Sequence, residues 1–369
     1  MSVIIFFIIL LVLVLVHEWG HFFTAKKFGI RVDEFGFGFP PRAVKLFKKG
    51  ETLYTLNWLP IGGFVKIFGE NPDEENTNGP DKDRSFVNKP RWQQAIVLFA
   101  GVFMNFILAW VLFSIGFMSG MPSSMSNIPD GIDAENVNLI VIGVSENSPA
   151  ESAGLMTKDK IVYMESGENF ISAPDITPLA LQNFVAENGD NPIKVDYLRG
   201  KENELGSATI IPEISDTGAP MIGIAMDQIG TLKLPFFGAL VEGMKLTLSV
   251  TKGTALGLYN LIADGIKGTG SMASVTGPVG IVGIVGDAAS FGFVYLMSFA
   301  ALISINLAII NLVPFPALDG GRLLFLLIEK IKGSRINPKV ANTMNSVGFI
   351  LLIILMLVVT YNDIIKLVK

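Results

Sequence analysis

Residues 3–16 read Val-Ile-Ile-Phe-Phe-Ile-Ile-Leu-Leu-Val-Leu-Val-Leu-Val, pure hydrocarbon, and run without a break into His17-Glu18-Trp19-Gly20-His21. Such a segment hides its backbone polar groups in a helix and its side chains in lipid, and extending it through Lys27 supplies about the 20 residues a bilayer core requires. A cleaved leader would carry basic residues before the apolar run and a small-x-small pattern after it. Neither surrounds this run, so the helix is expected to stay in the protein. Half of the 369 residues are apolar and only 17% are charged, a balance too greasy for a water-soluble globule. Yet the polar intervals exceed what a few spans need, and they leave room for a water-soluble module of roughly 90–100 residues.

Three more segments have the character of spans: 92–118, about 291–313, and 347–359 with its flanks. Four spans put both chain ends on one side. The interval Lys26–Arg91 holds twelve Lys and Arg, and Arg322, Lys330, Lys332, Arg335 and Lys339 follow Asp319, whereas Ser119–Pro235 holds six basic residues against seventeen acidic ones. The positive-inside rule therefore places the first and third loops in the cytoplasm, with the acidic segment and both termini outside. Phe236–Ile266 mixes apolar residues with Glu242, Lys245, Lys252 and several glycines. Helices lying on the outer membrane surface are expected there, with a fifth, buried span as the alternative. The acidic, Asn- and Pro-containing stretch Glu70–Arg84 reads as a solvated loop. A net charge of −5 without a long basic block argues against nucleic acid as a partner.

The chain has two histidines and no cysteine, and both histidines fall in the pattern H-E-x-x-H. On a helix, positions i and i+4 project from one face, so His17 and His21 can grip one metal ion while Glu18 stands beside its water. Zinc suits neutral imidazole and carboxylate, and a catalytic zinc takes three protein ligands and keeps one position open. Glu18 would then act as the general base. The bland alternative is a pair of satisfied helix histidines, but ionisable groups at the end of a hydrocarbon segment need a polar partner. With no third histidine, the remaining ligand must be a carboxylate at membrane depth. Asp319 is the outstanding candidate: Pro314 and Pro316 break the helix before it, and Gly320-Gly321 free the backbone after it. Capping of the next helix is the other reading of that residue.

H-E-x-x-H at the end of the first span, together with Asn311-Leu-Val-Pro-Phe-Pro-Ala-Leu-Asp319-Gly on a later one, resembles the double signature of the site-2 proteases, most closely the bacterial type that regulates sigma-E. Glu34-Phe-Gly-Phe-Gly-Phe-Pro40 and Pro60-Ile-Gly-Gly-Phe-Val-Lys66 are similar to family segments that form a membrane-associated β-hairpin and a strand that pairs with unwound substrate. Gly101-Val-Phe-Met-Asn105 resembles the family's Gly-Pro-x-x-Asn, with Val102 in place of Pro, and Ser274–Ile281 resembles a family loop before the third span. The resemblance implies zinc held by His17, His21 and Asp319, with Glu18 as the base. It also implies substrate contacts at Asn105, Asn311, Gly62, Gly63 and Phe64.

Val137–Asp227 carries short β-like runs (139–144, 160–164, 193–198, 208–212, 221–226) around a helical stretch at 179–187. Within it, Ser148-Pro-Ala-Glu-Ser-Ala-Gly-Leu155 followed by Lys158-Asp-Lys-Ile resembles a bacterial PDZ pattern, with Lys158 where glycine is usual. One such module is present. It implies capture of extended peptides or protein C-termini by strand addition; a structural spacer is the alternative.

The expected protein is thus a multi-pass α-helical membrane protein with a membrane-associated β-hairpin and an inserted extracytoplasmic α+β PDZ-like domain. Its parts would be 1–118 (two spans, H-E-x-x-H and the hairpin), 136–228 (PDZ-like), 236–270 (membrane-surface helices) and 280–369 (two spans and the Leu-Asp-Gly motif). The expected activity is zinc-dependent cleavage of single-pass membrane proteins or remnant signal peptides in a bacterial plasma membrane, with the active site toward the cytoplasm and lipids around it. A metal transporter and an inactive PDZ scaffold are the competing classes. The first needs a path of ionisable residues across several spans, and the second has no use for Glu18.

Overall fold

The computed structural model describes residues 1–71, 74–127, 134–189, 191–200, 202–214, 218–268 and 276–368. They divide into two compact units, one made of Met1–Gly116 and Phe236–Lys369, the other of Phe117–Pro235. The first unit begins with α1 (Ser2–Lys27), the paired strands β1 (Val32–Lys49) and β2 (Thr52–Ile67), the short α2 (Glu74–Asn78) and α3 (Arg91–Ser119). The second unit contains β3 (Met121–Ser124), β4 (Glu135–Val144), α4 (Pro149–Ser152), β5 (Lys160–Ser166), β6 (Asn169–Ser172) and α5 (Pro178–Glu187). It continues through β7 (Ile193–Arg199), β8 (Glu204–Ile210), β9 (Glu213–Ile214), β10 (Pro220–Met221) and β11 (Ile224–Leu232). The chain then returns to the first unit with α6 (Phe236–Lys267), α7 (Pro278–Phe291), α8 (Phe293–Leu312), α9 (Asp319–Lys332) and α10 (Pro338–Val368).

Four helices, α1, α3, α8 and α10, are long and apolar enough to cross a membrane. They also leave Ile4, Ile8, Phe99, Leu302, Ile350, Leu351 and Leu357 exposed, side chains that water would not solvate but lipid would. The protein is accordingly a membrane protein that also carries β-sheet. Helices α1 and α3 approach closely because Gly20 faces the Ala100 carbonyl and Gly101 faces the His17 and His21 rings, where an added Cβ would collide. On the other side of α3, Gly243 of α6 lies against Ser114, and the Trp110 indole donates to the Leu240 carbonyl at 2.9 Å.

The segment 236–267 is one unbroken helix rather than several pieces, since its glycines interrupt side-chain packing without removing a backbone donor. The segment before α8 forms α7, a helix the glycine-rich sequence hid. Proline at its first position has no N–H to waste, and the Asp363 carboxylate of α10 accepts from the Gly277 and Gly280 amides at 3.0 and 2.8 Å. Ser274 and Val275 of the expected loop lie outside the described residues.

Strands β1 and β2 fold back on themselves. In the register, Glu34–Phe37 lies between Leu53–Leu56 on one side and Gly63–Lys66 on the other, and Arg42–Lys49 pairs with Asn57–Thr52. The stretch Gly63–Ile67 is therefore an outer row of a small four-row sheet, and it packs on α1. Gly63 has no room for a side chain, because a Cβ would lie 2.9 Å from Leu15 and 3.0 Å from the Gly36 carbonyl.

The second unit is a seven-stranded sheet in the order β3-β11-β4-β5-β7-β8, with β6 beside β5. Ile161 and Met164 of β5 and the alternate residues Ile193, Val195 and Tyr197 of β7 point inward and close a core with Leu181 and Phe184 of α5. Ser148 and Thr177 cap α4 and α5 by accepting from the Glu151 and Ala180 amides. Lys158 adopts φ 81°, a left-handed conformation that glycine takes more easily. Buried Asp159 accepts two hydrogen bonds from Arg199, at 2.7 and 2.6 Å. Strand β8 starts at Glu204, earlier than the apolar run that signals it, and β6, a short exposed hairpin partner, carries no such run.

Candidate active site

His17 and His21 occupy successive turns of one face of α1, and Asp319 opens α9, more than three hundred residues away in sequence. The fold brings their side chains together. His17 Nε2 lies 3.1 Å from Asp319 Oδ2 and 3.1 Å from His21 Nε2, and His21 Nε2 lies 3.3 Å from the same carboxylate oxygen. Both histidines are only 6% exposed, so their ring nitrogens must find polar partners inside the protein. His21 Nδ1 donates to the Val97 carbonyl of α3 at 2.8 Å. A carbonyl can only accept, so that bond fixes the proton on Nδ1 and leaves the Nε2 lone pair aimed at His17 and Asp319.

Three donor atoms converging in this way suit a cation. Ligands on one tetrahedral zinc, bonded at about 2.0–2.2 Å, stand about 3.3–3.5 Å apart, and the observed separations are 3.1–3.3 Å. His17, His21 and Asp319 also form the one such His and carboxylate cluster among the described residues.

Asp319 reaches this point through the loop after α8. Val313 leaves the helix, Ala317 turns with φ 75°, and α9 restarts at Asp319. Gly320 and Gly321 press on the carbonyls of Leu312, Val313 and Phe315, a closeness any Cβ would forbid. The loop is held from α10, where the Asn345 amide oxygen accepts from the Ala317 N–H at 3.2 Å and Gly348 abuts Pro316.

Glu18, adjacent to the histidines, faces the strand rows. Its Oε2 accepts from the Val65 amide at 3.0 Å, and the His21 ring and the Glu70 and Asp319 carboxylates are its ionisable neighbours. Gly63 is buried and Phe64 half-buried in the same outer row, and Gly62, just before it, is buried. Asn105 is fully buried with its amide nitrogen 3.4 Å from His17 Nδ1. Asn311 lies half-buried in the last turn of α8, and among the described residues the His17, His21 and Asp319 cluster does not include it. Away from the histidine-bearing face of α1, an apolar cavity of about 510 Å³ is lined by Leu15, Val16, Trp19, Phe35, Phe37 and Met104, among others; none of His17, Glu18, His21 and Asp319 lines it.

Backbone groups escaped the sequence reading. The Val97 carbonyl and the Val65 N–H carry no side-chain signal, and Asn345 sits in an apolar helix with nothing nearby in sequence to link it to Asp319.

A helical membrane protein with two buried histidines, a half-buried aspartate joining them and a neighbouring glutamate has the form of a metallopeptidase. The model of peptidase family M50 matches residues 5–355, and the chain belongs to that family, the site-2 proteases. The regulator of sigma-W protease RasP of Bacillus subtilis is 32% identical over 440 aligned positions, covering 98% of each chain. The zinc metalloprotease RasP of Bacillus licheniformis is 32% identical over 439 positions, again covering 98% of both. A Clostridium perfringens protein with a zinc metalloprotease name is 35% identical over 357 residues, 96% of this chain and 95% of its own.

Proposed function

We propose that the protein is a zinc-dependent intramembrane endopeptidase that cuts single-pass membrane proteins, or signal peptides left in the bilayer, within or near the membrane. The observation that carries the reading is the convergence of His17, His21 and Asp319 at 3.1–3.3 Å in a unit made of apolar helices. Those three side chains hold the zinc, the cofactor named for several relatives. When bound, zinc polarises the scissile carbonyl and acidifies water enough to make a nucleophile near neutral pH. Glu18 takes the proton from the attacking water and returns it to the departing amide nitrogen, with Val65 N–H fixing which oxygen of the carboxylate faces the site.

A transmembrane helix keeps its carbonyls in internal hydrogen bonds and must unwind before it can be cut. The outer row Gly63–Ile67 supplies replacement partners by strand addition, with Gly63 and Phe64 of the row and Gly62 just before it as contact residues. The apolar cavity beside Trp19 and Phe37 accepts side chains of the unwound segment, and Asn311 positions that segment. One relative is named a regulator of sigma-W protease, and an anti-sigma-factor-like membrane protein is the substrate type this chain fits. Charge asymmetry supports a bacterial plasma-membrane topology with the site toward the cytoplasm and residues 136–228 outside. That unit is read as PDZ-like. The stretch Ile224–Gln228 of β11 pairs with β4, while β3 covers Ile229–Leu232, so an extended C-terminus can add beside α5. Helix α6, with its exposed apolar residues past Lys252, is read as lying on the outer membrane surface.

The test is cleavage of a tagged single-pass substrate in membranes by wild type and by Glu18→Gln, each with its zinc content measured. Full zinc with activity reduced about 100- to 10,000-fold is expected for loss of a general base. Wild-type activity in Glu18→Gln would overturn the mechanism.

A further inference from the structure

The geometry points to Asn105 as the residue that fixes the proton of His17, acting as a hydrogen-bond acceptor through its amide oxygen rather than as a contact for substrate. This rests on the zinc reading above. Helix α3 faces the two histidines along a single stripe, residues 97, 101 and 105, spaced by one turn each. Val97 supplies the carbonyl that accepts from His21 Nδ1. Gly101 supplies the space that both rings fill. Asn105, one turn further, stands at His17 Nδ1, where the same relation requires an acceptor.

With His17 bound to metal through Nε2, its Nδ1 carries the hydrogen and must donate it. The amide nitrogen of Asn105, itself a donor, lies 3.4 Å from that atom, while the amide oxygen is buried with no hydrogen-bond partner among the described residues. The two ends of an amide have the same shape, and half a turn about the last bond exchanges them. That turn places Oδ1 against Nδ1–H, which gives the orphaned oxygen a partner and the histidine hydrogen an acceptor at once. The side chain has nowhere else to go: Asn105 is 0% exposed, and Ser304 of α8 clamps its backbone by donating to its carbonyl at 2.7 Å. The Gly101 carbonyl also lies near the His17 ring and, like the Val97 carbonyl that accepts from His21, keeps a second lone pair, but the Asn105 oxygen is the acceptor there that has no other partner among the described residues. The opposite arrangement, with Asn105 donating to a bare Nδ1, would put the hydrogen on Nε2 and close that nitrogen to any metal.

The experiment uses the full-length protein in detergent with Glu18→Gln as background, and titrates zinc against a chromogenic chelator. Asn105→Leu, which has no acceptor, is expected to weaken zinc binding about 10- to 100-fold. Asn105→Asp, which keeps an acceptor and removes the donor, is expected to stay within a few-fold of the background protein. In ¹⁵N-histidine spectra of the zinc-loaded protein, the His17 Nδ1–H signal should persist in Asn105→Asp and shift or broaden in Asn105→Leu. Equal loss in both variants overturns the proposal, because it would mean that the amide acts as donor or filler. Unchanged affinity in both, with only KM raised in an active background, also overturns it and returns Asn105 to substrate contact. Absence of zinc from the background protein would instead defeat the metal reading beneath it.

Discussion

At the scale of single residues, the site depends on absences as much as on ligands. Gly101 is the clearest: its Cα hydrogen is all that separates α3 from the His17 and His21 rings, and a methyl group there would overlap them. Overpacking of this kind costs about 1–3 kcal/mol, and here it would be relieved by turning the imidazoles. Gly101→Ala is therefore expected to lower zinc affinity by about five- to a hundredfold, since 1.4 kcal/mol is a factor of ten. Gly257→Ala, where a Cβ meets open space, should leave it unchanged; inductively coupled plasma mass spectrometry after dialysis distinguishes the two. Much at this scale was legible in the chain. Two histidines at i and i+4, with glutamate between them, specify one helix face by spacing alone, and the lack of cysteine and other histidines directed attention to a carboxylate. Gly101 was visible as part of a motif but not as a gap, because a gap is defined by the partner helix.

At the scale of elements, α10 positions Asp319 although it contributes no ligand. Ala317 holds a left-handed turn, which costs about 1–2 kcal/mol for a residue with a Cβ, and the Asn345 hydrogen bond to its amide offsets about 1 kcal/mol of it. Asn345→Ala should reduce cleavage about tenfold or less, and adding Ala317→Gly should restore most of it, because glycine populates positive φ freely. A double variant no better than the single one would show that the turn is not the route of the effect.

The strand rows contain a second device of this scale. Burial alone would raise the Glu34 carboxyl, but hydrogen bonds from Arg42 and Thr55 hold it below the ordinary carboxylate range. A lowered folded-state value means that its stabilisation is present at neutral pH and is lost as pH falls through the acidic range toward that value. Amide protection in 32–67, corrected for the intrinsic pH dependence of exchange, should fall on acidification below about pH 4.5, the ordinary glutamate range, and Glu34→Gln should flatten that dependence. An identical acid response in Glu34→Gln would remove Glu34 as its cause. Neither device could be read from the chain, since the register that sandwiches Glu34–Phe37 between two parts of β2 is set by long-range pairing.

At the scale of the whole molecule, hydrocarbon length was the strongest signal: α1, α3, α8 and α10 fall where apolar runs place them, because a bilayer leaves the backbone few alternatives. Helix α7 was hidden, since its glycines speak against a helix and its cap, Asp363, lies far along the chain. The proposed topology is open to a direct check, as the chain has no cysteine of its own. A Ser152→Cys label should react with a membrane-impermeant maleimide in intact cells, and a Lys49→Cys label only after the membrane is opened; the reverse pattern would invert the topology. The central claim, one zinc shared by His17, His21 and Asp319, is tested most directly by X-ray absorption at the zinc edge of the purified protein. One zinc per chain with two imidazoles and a carboxylate in its shell is predicted, with Asp319→Asn losing most of the metal. A metal-free active protein, or a zinc shell unaltered by both Asp319→Asn and His17→Ala, would contradict the account.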